Sequence, residues 1–185
     1  MELAVIRHTR LAIDAGRCYG QSEIALADSF DAELASLQER LSPPYRAVYS
    51  SPLQRCTRLA AQISTAFEID DRLLEYHFGD WEMTRWDDIG RGALDPWMQD
   101  FVNVSAPNGE SLAQMYARVA AFMEALRNRD HPNCLIVTHG GVIRCIWAYL
   151  LQIPLEQIFK LEVGYGEVLN CRLAANPEED AILAG

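Results

Sequence analysis

What most constrains the fold of this chain is one pattern used three times: a short apolar run that stops abruptly at a polar cluster. Residues 3–6 lead into Arg7-His8-Thr9, residues 47–49 into Ser50-Ser51-Pro52, and residues 134–137 into Thr138-His139-Gly140-Gly141. An apolar run of this length, bounded by polar residues, is the mark of a strand covered on both faces. Helical periods separate the runs. Phe30-Asp31 opens one carried by Leu34, Leu37 and Leu41 and stopped by Pro43-Pro44. Another is expected after Ser51-Pro52, read as an N-cap serine with proline at the first helical position, and runs to about residue 67 on Leu53, Leu59, Ile63 and Phe67. This alternation predicts an α/β fold, a three-layer α/β/α sandwich with a mostly parallel central sheet. The 185 residues suit a single domain, 1–185.

The remaining elements are expected as follows. A third strand covers 69–74, and 75–92, rich in aromatics, Asp and Gly, is loop with short helices at most. Helices cover 96–102 and 111–129, the second capped by Asn108 or Ser111. A helix over 142–151 follows the paired glycines, a short one begins at Pro154, and 161–163 and 168–173 close the sheet. The polar stretch 10–28 is too long for a plain connector and reads as a functional loop.

In a parallel sheet the three polar clusters fall on one edge, where open α/β sheets bind ligands. That places His8, Arg55 and His139 together although they are distant in sequence. Arg55 lies in the first turn of its helix, where free N–H groups and the dipole already favour an anion. The basic residues are fifteen arginines and Lys160 alone, and arginine is the side chain whose planar fork matches phosphate. His77 and His131 read as structural. A net charge of −10 argues against a nucleic-acid partner. No apolar run approaches the ~18 residues of a membrane span, and the first residues lack a signal-peptide pattern, so a cytoplasmic protein with no membrane partner is expected. The five cysteines form no CxxC pair and read as reduced core residues rather than a disulfide or zinc framework.

Five motifs, in order, carry a resemblance: Arg7-His8-Thr9; Ser51-Pro52-Leu53-Gln54-Arg55; the segment from Leu74 through Glu75-Tyr76-His77-Phe78-Gly79-Asp80-Trp81-Glu82; Asn108-Gly109-Glu110-Ser111; and Thr138-His139-Gly140-Gly141. Together they resemble the histidine phosphatase, or phosphoglycerate mutase-like, superfamily over nearly the whole chain. Gly16-Arg17-Cys18-Tyr19-Gly20-Gln21 followed by Leu26 resembles its α-ribazole phosphatase branch, which acts on α-ribazole 5'-phosphate in assembling the cobalamin nucleotide loop.

The resemblance implies that His8 is the nucleophile, that Arg7 and Arg55 clamp the phosphoryl group, that His139 donates to the same oxygens, and that Glu75 is the general acid and base. Tyr19, Gly20, Gln21, Gly140 and Gly141 match substrate-contacting positions. No metal and no cofactor is implied, the partner is a small phosphorylated metabolite, and a homodimer is left open. From the residues alone, Glu75, Asp80 and Glu82 are equal candidates for the proton donor. Trp81, Trp86 and Trp97 are read as packing, with stacking on an aromatic substrate as the alternative. Departures from the family pattern are Thr9, Arg10, the lack of an Asn in 11–15, and Met83. A broad-specificity sugar or nucleotide phosphatase, and a non-catalytic phosphate-binding module, are the competing readings. A mutase, a phosphohistidine protein phosphatase and a metal-dependent hydrolase fit the sequence less well.

Overall fold

The computed structural model describes residues 1–183; the last two positions of the expected 1–185 domain lie outside the described residues. Six strands form one sheet in the order β3-β2-β4-β1-β5-β6. They are β1 (Glu2–Arg7), β2 (Ala47–Ser50), β3 (Glu68–Ile69), β4 (Asn133–Thr138), β5 (Val168–Arg172) and β6 (Ala181–Ile182). The first four run parallel, while β5 is antiparallel to β1 and β6 to β5. The sheet is mostly parallel and mixed, as the alternation of elements predicts.

Side chains alternate along a strand, so β1 and β4 at the centre of the sheet each feed two cores. Leu3, Val5, Cys134 and Ile136 face α4 (Leu112–Arg127) and α5 (Gly140–Leu151), whereas Ala4, Ile6, Leu135 and Val137 face α1 (Phe30–Arg40) and α2 (Gln54–Ile63). These are the two outer layers. α4 is held at its start by a capping box, with Ser111 and Gln114 each satisfying the other's backbone N–H. All five cysteines are buried and free.

Several boundaries differ from expectation. The third strand stops after two residues because the Asp70 side chain accepts from Arg72 N and starts a short 3₁₀ turn over Asp71–Leu73. α2 begins at Gln54 behind Leu53 rather than at Pro52, since Ser51 turns into the site. It ends at Ile63, short of residue 67. α3 (Arg91–Gln99) starts well before Pro96, which lies inside it. α5 starts at Gly140, two residues before the expected position. Residues 161–163 form no strand. Their carbonyls go to arginines instead: Val163 O accepts from Arg7 Nη1 at 2.6 Å and Leu161 O from Arg144 Nε at 2.9 Å. On its outer side β5 pairs with β6, which has no strong sequence signal.

Candidate active site

β1, β2 and β4 are neighbours with matched directions, so their carboxyl ends deliver Arg7-His8, Ser50-Ser51 and Thr138-His139 to one place. The two imidazoles meet edge to face with centroids 5.2 Å apart. Both are buried. Nδ1 of His8 lies 2.7 Å from the Thr9 carbonyl, a partner that can only accept, so Nδ1 carries the proton and Nε2 is the basic nitrogen. Burial, followed by the Arg55 charge, pushes the His8 pKa down to about 3, with Arg7 adding to the fall and the Thr9 carbonyl opposing it.

His139 is fixed in the complementary tautomer. Arg55 Nε can only donate, and it faces His139 Nδ1 at 3.3 Å; the ring proton is therefore on Nε2, 2.7 Å from Ser51 Oγ. Burial first, then the charges of His8, Arg55, Arg118 and Arg7, hold His139 well below the ordinary histidine range. The resemblance has His139 donating to phosphoryl oxygens; here that proton faces Ser51. Cys56 Sγ packs 3.6 Å from the same nitrogen and donates to Thr138 O.

The arginines differ in their employment. Arg55 is 0% exposed, and besides His139 it donates through Nη1 to Ser22 O at 2.8 Å and through Nη2 to Gly20 O. It thus ties the loop 10–28 to the sheet edge. Arg7 lies beneath the Tyr165 ring, with its guanidinium carbon 3.8 Å from the centroid. Its Nε is buried and has no hydrogen-bond partner among the described residues.

Of the three acidic candidates, geometry distinguishes Glu75. Its Oε2 accepts from Gly141 N at 3.1 Å and its Oε1 from Tyr76 N at 3.0 Å, at the first turn of α5. Its backbone is braced by Arg118, which donates to Leu74 O and Glu75 O and pairs with Glu110 at 2.6 Å. Glu82 is taken up by the loops around it: it accepts from Gly20 N, Gln21 N, Ser22 N, Ser22 Oγ and Phe78 N. Burial pushes its carboxyl up, yet these donors hold it below the ordinary carboxylate value. Glu82 is a loop anchor. Asp80 is exposed and accepts from Asn108 Nδ2.

Tyr19, Glu75, Gly141 and Arg144 open onto a pocket of about 210 Å³ whose other walls include Tyr76, Phe78, Trp86, Trp97, Phe101 and Phe159. Trp86 and Trp97 line this pocket, whereas Trp81 is buried against them. Gln21 and Gly20 do not line it. Gln21 donates to Glu75 O at 3.0 Å, and Gly20 is packed so closely that a Cβ would stand 1.8 Å from Tyr76 O. A Cβ on Gly140 would stand 3.4 Å from Arg7 Nε, so this glycine lies directly against the Arg7 guanidinium. Sequence reasoning missed Tyr165, whose hydroxyl meets that of Tyr19 at 2.5 Å, as well as Ser51 as a partner of His139 and Arg144 as a wall of the pocket. Only proximity to the turn glycines could have flagged Tyr165. Among the described residues, no three His, Cys, Asp or Glu side chains are grouped to hold a metal ion, and no helix is long and apolar enough to cross a membrane.

Known proteins resemble the chain over most of its length. The chain is 27% identical over 202 residues to the adenosylcobalamin/alpha-ribazole phosphatase of Salmonella typhimurium, covering 96% of this chain and 100% of that protein. It is 30% identical over 165 residues to a metal-independent phosphoserine phosphatase of Arabidopsis thaliana, covering 82% and 69%. The alpha-ribazole phosphatase of Shigella flexneri superposes with a TM-score of 0.84 at 26% identity, covering 93% of this chain and 90% of that one. The model of the histidine phosphatase superfamily, branch 1, matches residues 3–179, and it is to this family of phosphatases that the chain belongs.

Proposed function

We propose that the chain is a phosphomonoesterase that forms a phosphohistidine on His8 and that its substrate is α-ribazole 5'-phosphate. The observation that carries the chemistry is His8 itself: an imidazole buried beside two guanidinium groups, with Nδ1 tied to a carbonyl and the other nitrogen basic. In the first step His8 Nε2 bonds to phosphorus and the ester P–O bond breaks, while Glu75, as the carboxylic acid, protonates the leaving alkoxide. In the second, Glu75 takes a proton from water, the water oxygen bonds to phosphorus, and the P–N bond breaks to return neutral His8 and inorganic phosphate. Arg7 and the N–H groups of Arg55 not bound to the loop offset charge on the equatorial oxygens, which is most of what phosphoryl transfer asks of a protein.

The substrate reading is supported by the pocket beside Glu75. Trp86, Trp97, Phe101 and Phe159 offer flat apolar walls to a planar heterocycle. The sequence resemblance in residues 16–26 points the same way.

Two measurements test the proposal. The first is kcat/KM for α-ribazole 5'-phosphate against sugar phosphates, nucleoside monophosphates and phosphoserine; at least a tenfold preference for the ribazole ester is expected. Parity with the panel overturns the substrate assignment and leaves a broad-specificity phosphatase. The second is rapid acid quench with labelled substrate, where an alkali-stable, acid-labile protein adduct is expected in the wild type and not in His8→Ala. Absence of the adduct in a wild-type enzyme under turnover overturns the mechanism.

A further inference from the structure

The pocket that opens from Glu75 is lined almost wholly by apolar and aromatic side chains, with one cation among them, Arg144. A guanidinium set into such a wall is costly unless something accepts from it. Its Nε is bound to Leu161 O at 2.9 Å, which fixes the plane of the group. Among the described residues neither Nη is paired with a carboxylate or a carbonyl. Burial, opposed by the charge of Glu75, lowers its pKa, as befits a cation facing an apolar space.

Its position follows from the helix. Arg144 is four residues after Gly140 and three after Gly141, on the same face of α5, and side chains on a helix lean back toward its N-terminus. The guanidinium accordingly reaches back over the first turn: Nη1 lies 3.3 Å from where a Gly140 Cβ would be, and Arg7 Nε lies 3.4 Å from the same point. Gly140 is a gap between two guanidinium groups, one on the phosphate side and one on the pocket side. The face of the Phe159 ring is 5.8 Å from the Arg144 guanidinium carbon, at the pocket mouth.

We infer that Arg144 is a specificity-determining residue: its Nη groups donate to hydroxyl oxygens of a sugar that joins the phosphate at His8 to an aromatic ring held between the tryptophans and phenylalanines. The site thereby recognises a nucleoside-type phosphate in three parts, with charge at Arg7 and Arg55, hydroxyls at Arg144 and a flat ring beyond. This assignment rests on the phosphatase reading of the site and adds the residue that would distinguish a sugar ester from a simple aryl ester.

The test compares three esters, α-ribazole 5'-phosphate, ribose 5-phosphate and phenyl phosphate, in wild type, Arg144→Met and Arg144→Lys. Methionine keeps the aliphatic reach and removes the donors. The ratio of kcat/KM for each sugar ester to that for phenyl phosphate is expected to fall about tenfold or more in Arg144→Met, mainly through KM, and to recover partly in Arg144→Lys. An unchanged ratio overturns the inference, whether both esters suffer equally, which makes Arg144 part of the phosphate cradle, or neither suffers, which makes it a tie to Leu161. Should wild type handle α-ribazole 5'-phosphate no better than ribose 5-phosphate, the substrate proposal falls, while a loss confined to the two sugar esters still upholds Arg144.

Discussion

The main-chain N–H of Gly141 donates to Oε2 of Glu75 at 3.1 Å, and a Cβ placed on Gly141 would stand 2.3 Å from the other oxygen of the same carboxyl. The glycine is therefore required by a close approach rather than by backbone conformation. Gly141→Ala must push the Glu75 carboxyl off its N–H donor, because the clash is with the group itself and Met115 closes the other side at 3.0 Å. For an alkyl phosphate the alcohol cannot leave without a proton, and misplacing the donor is expected to lower kcat/KM roughly 10²-fold, the order general acid catalysis contributes. For p-nitrophenyl phosphate the phenolate leaves as a stable anion, so the loss is expected to be at least tenfold smaller. Equal losses for the two esters would deny Glu75 the role of proton donor.

Glu82 makes the opposite prediction. Its carboxylate is surrounded by donors from Gly20, Gln21, Ser22 and Phe78. In Glu82→Gln an NH₂ replaces one acceptor and faces N–H groups that lose their partner, at about 2–3 kcal/mol for unsatisfied buried donors. The midpoint of thermal unfolding is expected to drop by roughly 5–8 °C for a chain of this size. The sensitivity to leaving group, read as the ratio of alkyl to p-nitrophenyl phosphate turnover, is expected to stay within about threefold. A stable Glu82→Gln variant that loses alkyl phosphate turnover selectively would move the acid role from Glu75 to Glu82.

How far the site could be read from sequence depended on whether a residue stood in a pattern. His8, Arg55 and His139 follow apolar strands, and the topology of a parallel sheet does the rest; Gly140 and Gly141 mark a helix start in the same way. Ser51 was misread because an N-cap and a site hydroxyl share one signature, a serine before proline and a helix, and only the position of His139 decides between them. Arg144 reads in sequence as an interruption of an apolar helix, and Tyr165 as one aromatic between turn glycines. Their roles come from residues 161–165 leaving the sheet edge and lending carbonyls to Arg7 and Arg144, an arrangement without periodicity. Among carboxylates, Glu75 and Glu82 are separated by which donors reach them and by which one opens onto the pocket, and both are settled by loop conformation.

The two buried imidazoles also set how the fold responds to acid. Both are neutral in the folded chain, with His8 lowered to about 3 and His139 well below its ordinary value, while in the unfolded chain each takes up a proton near pH 6.5. Between those values the unfolded state binds more protons than the folded one, so stability must rise with pH and fall on acidification. Each histidine that stays neutral contributes a slope approaching ~1.4 kcal/mol per pH unit below about 6.5, and the pair together about 3–4 kcal/mol between pH 7 and pH 5. Glu82, held low, adds its own loss only at more acid pH, as its carboxylate is titrated below the ordinary carboxylate value. Urea midpoints measured at pH 7 and pH 5 check this, with the slope expected to be about halved in His139→Asn and nearly abolished when His8→Asn is added. A wild-type protein equally stable at both values would mean that both imidazoles take up their protons in the folded state as readily as in the unfolded one, and the burial that holds His8 neutral below pH 6.5 would be denied.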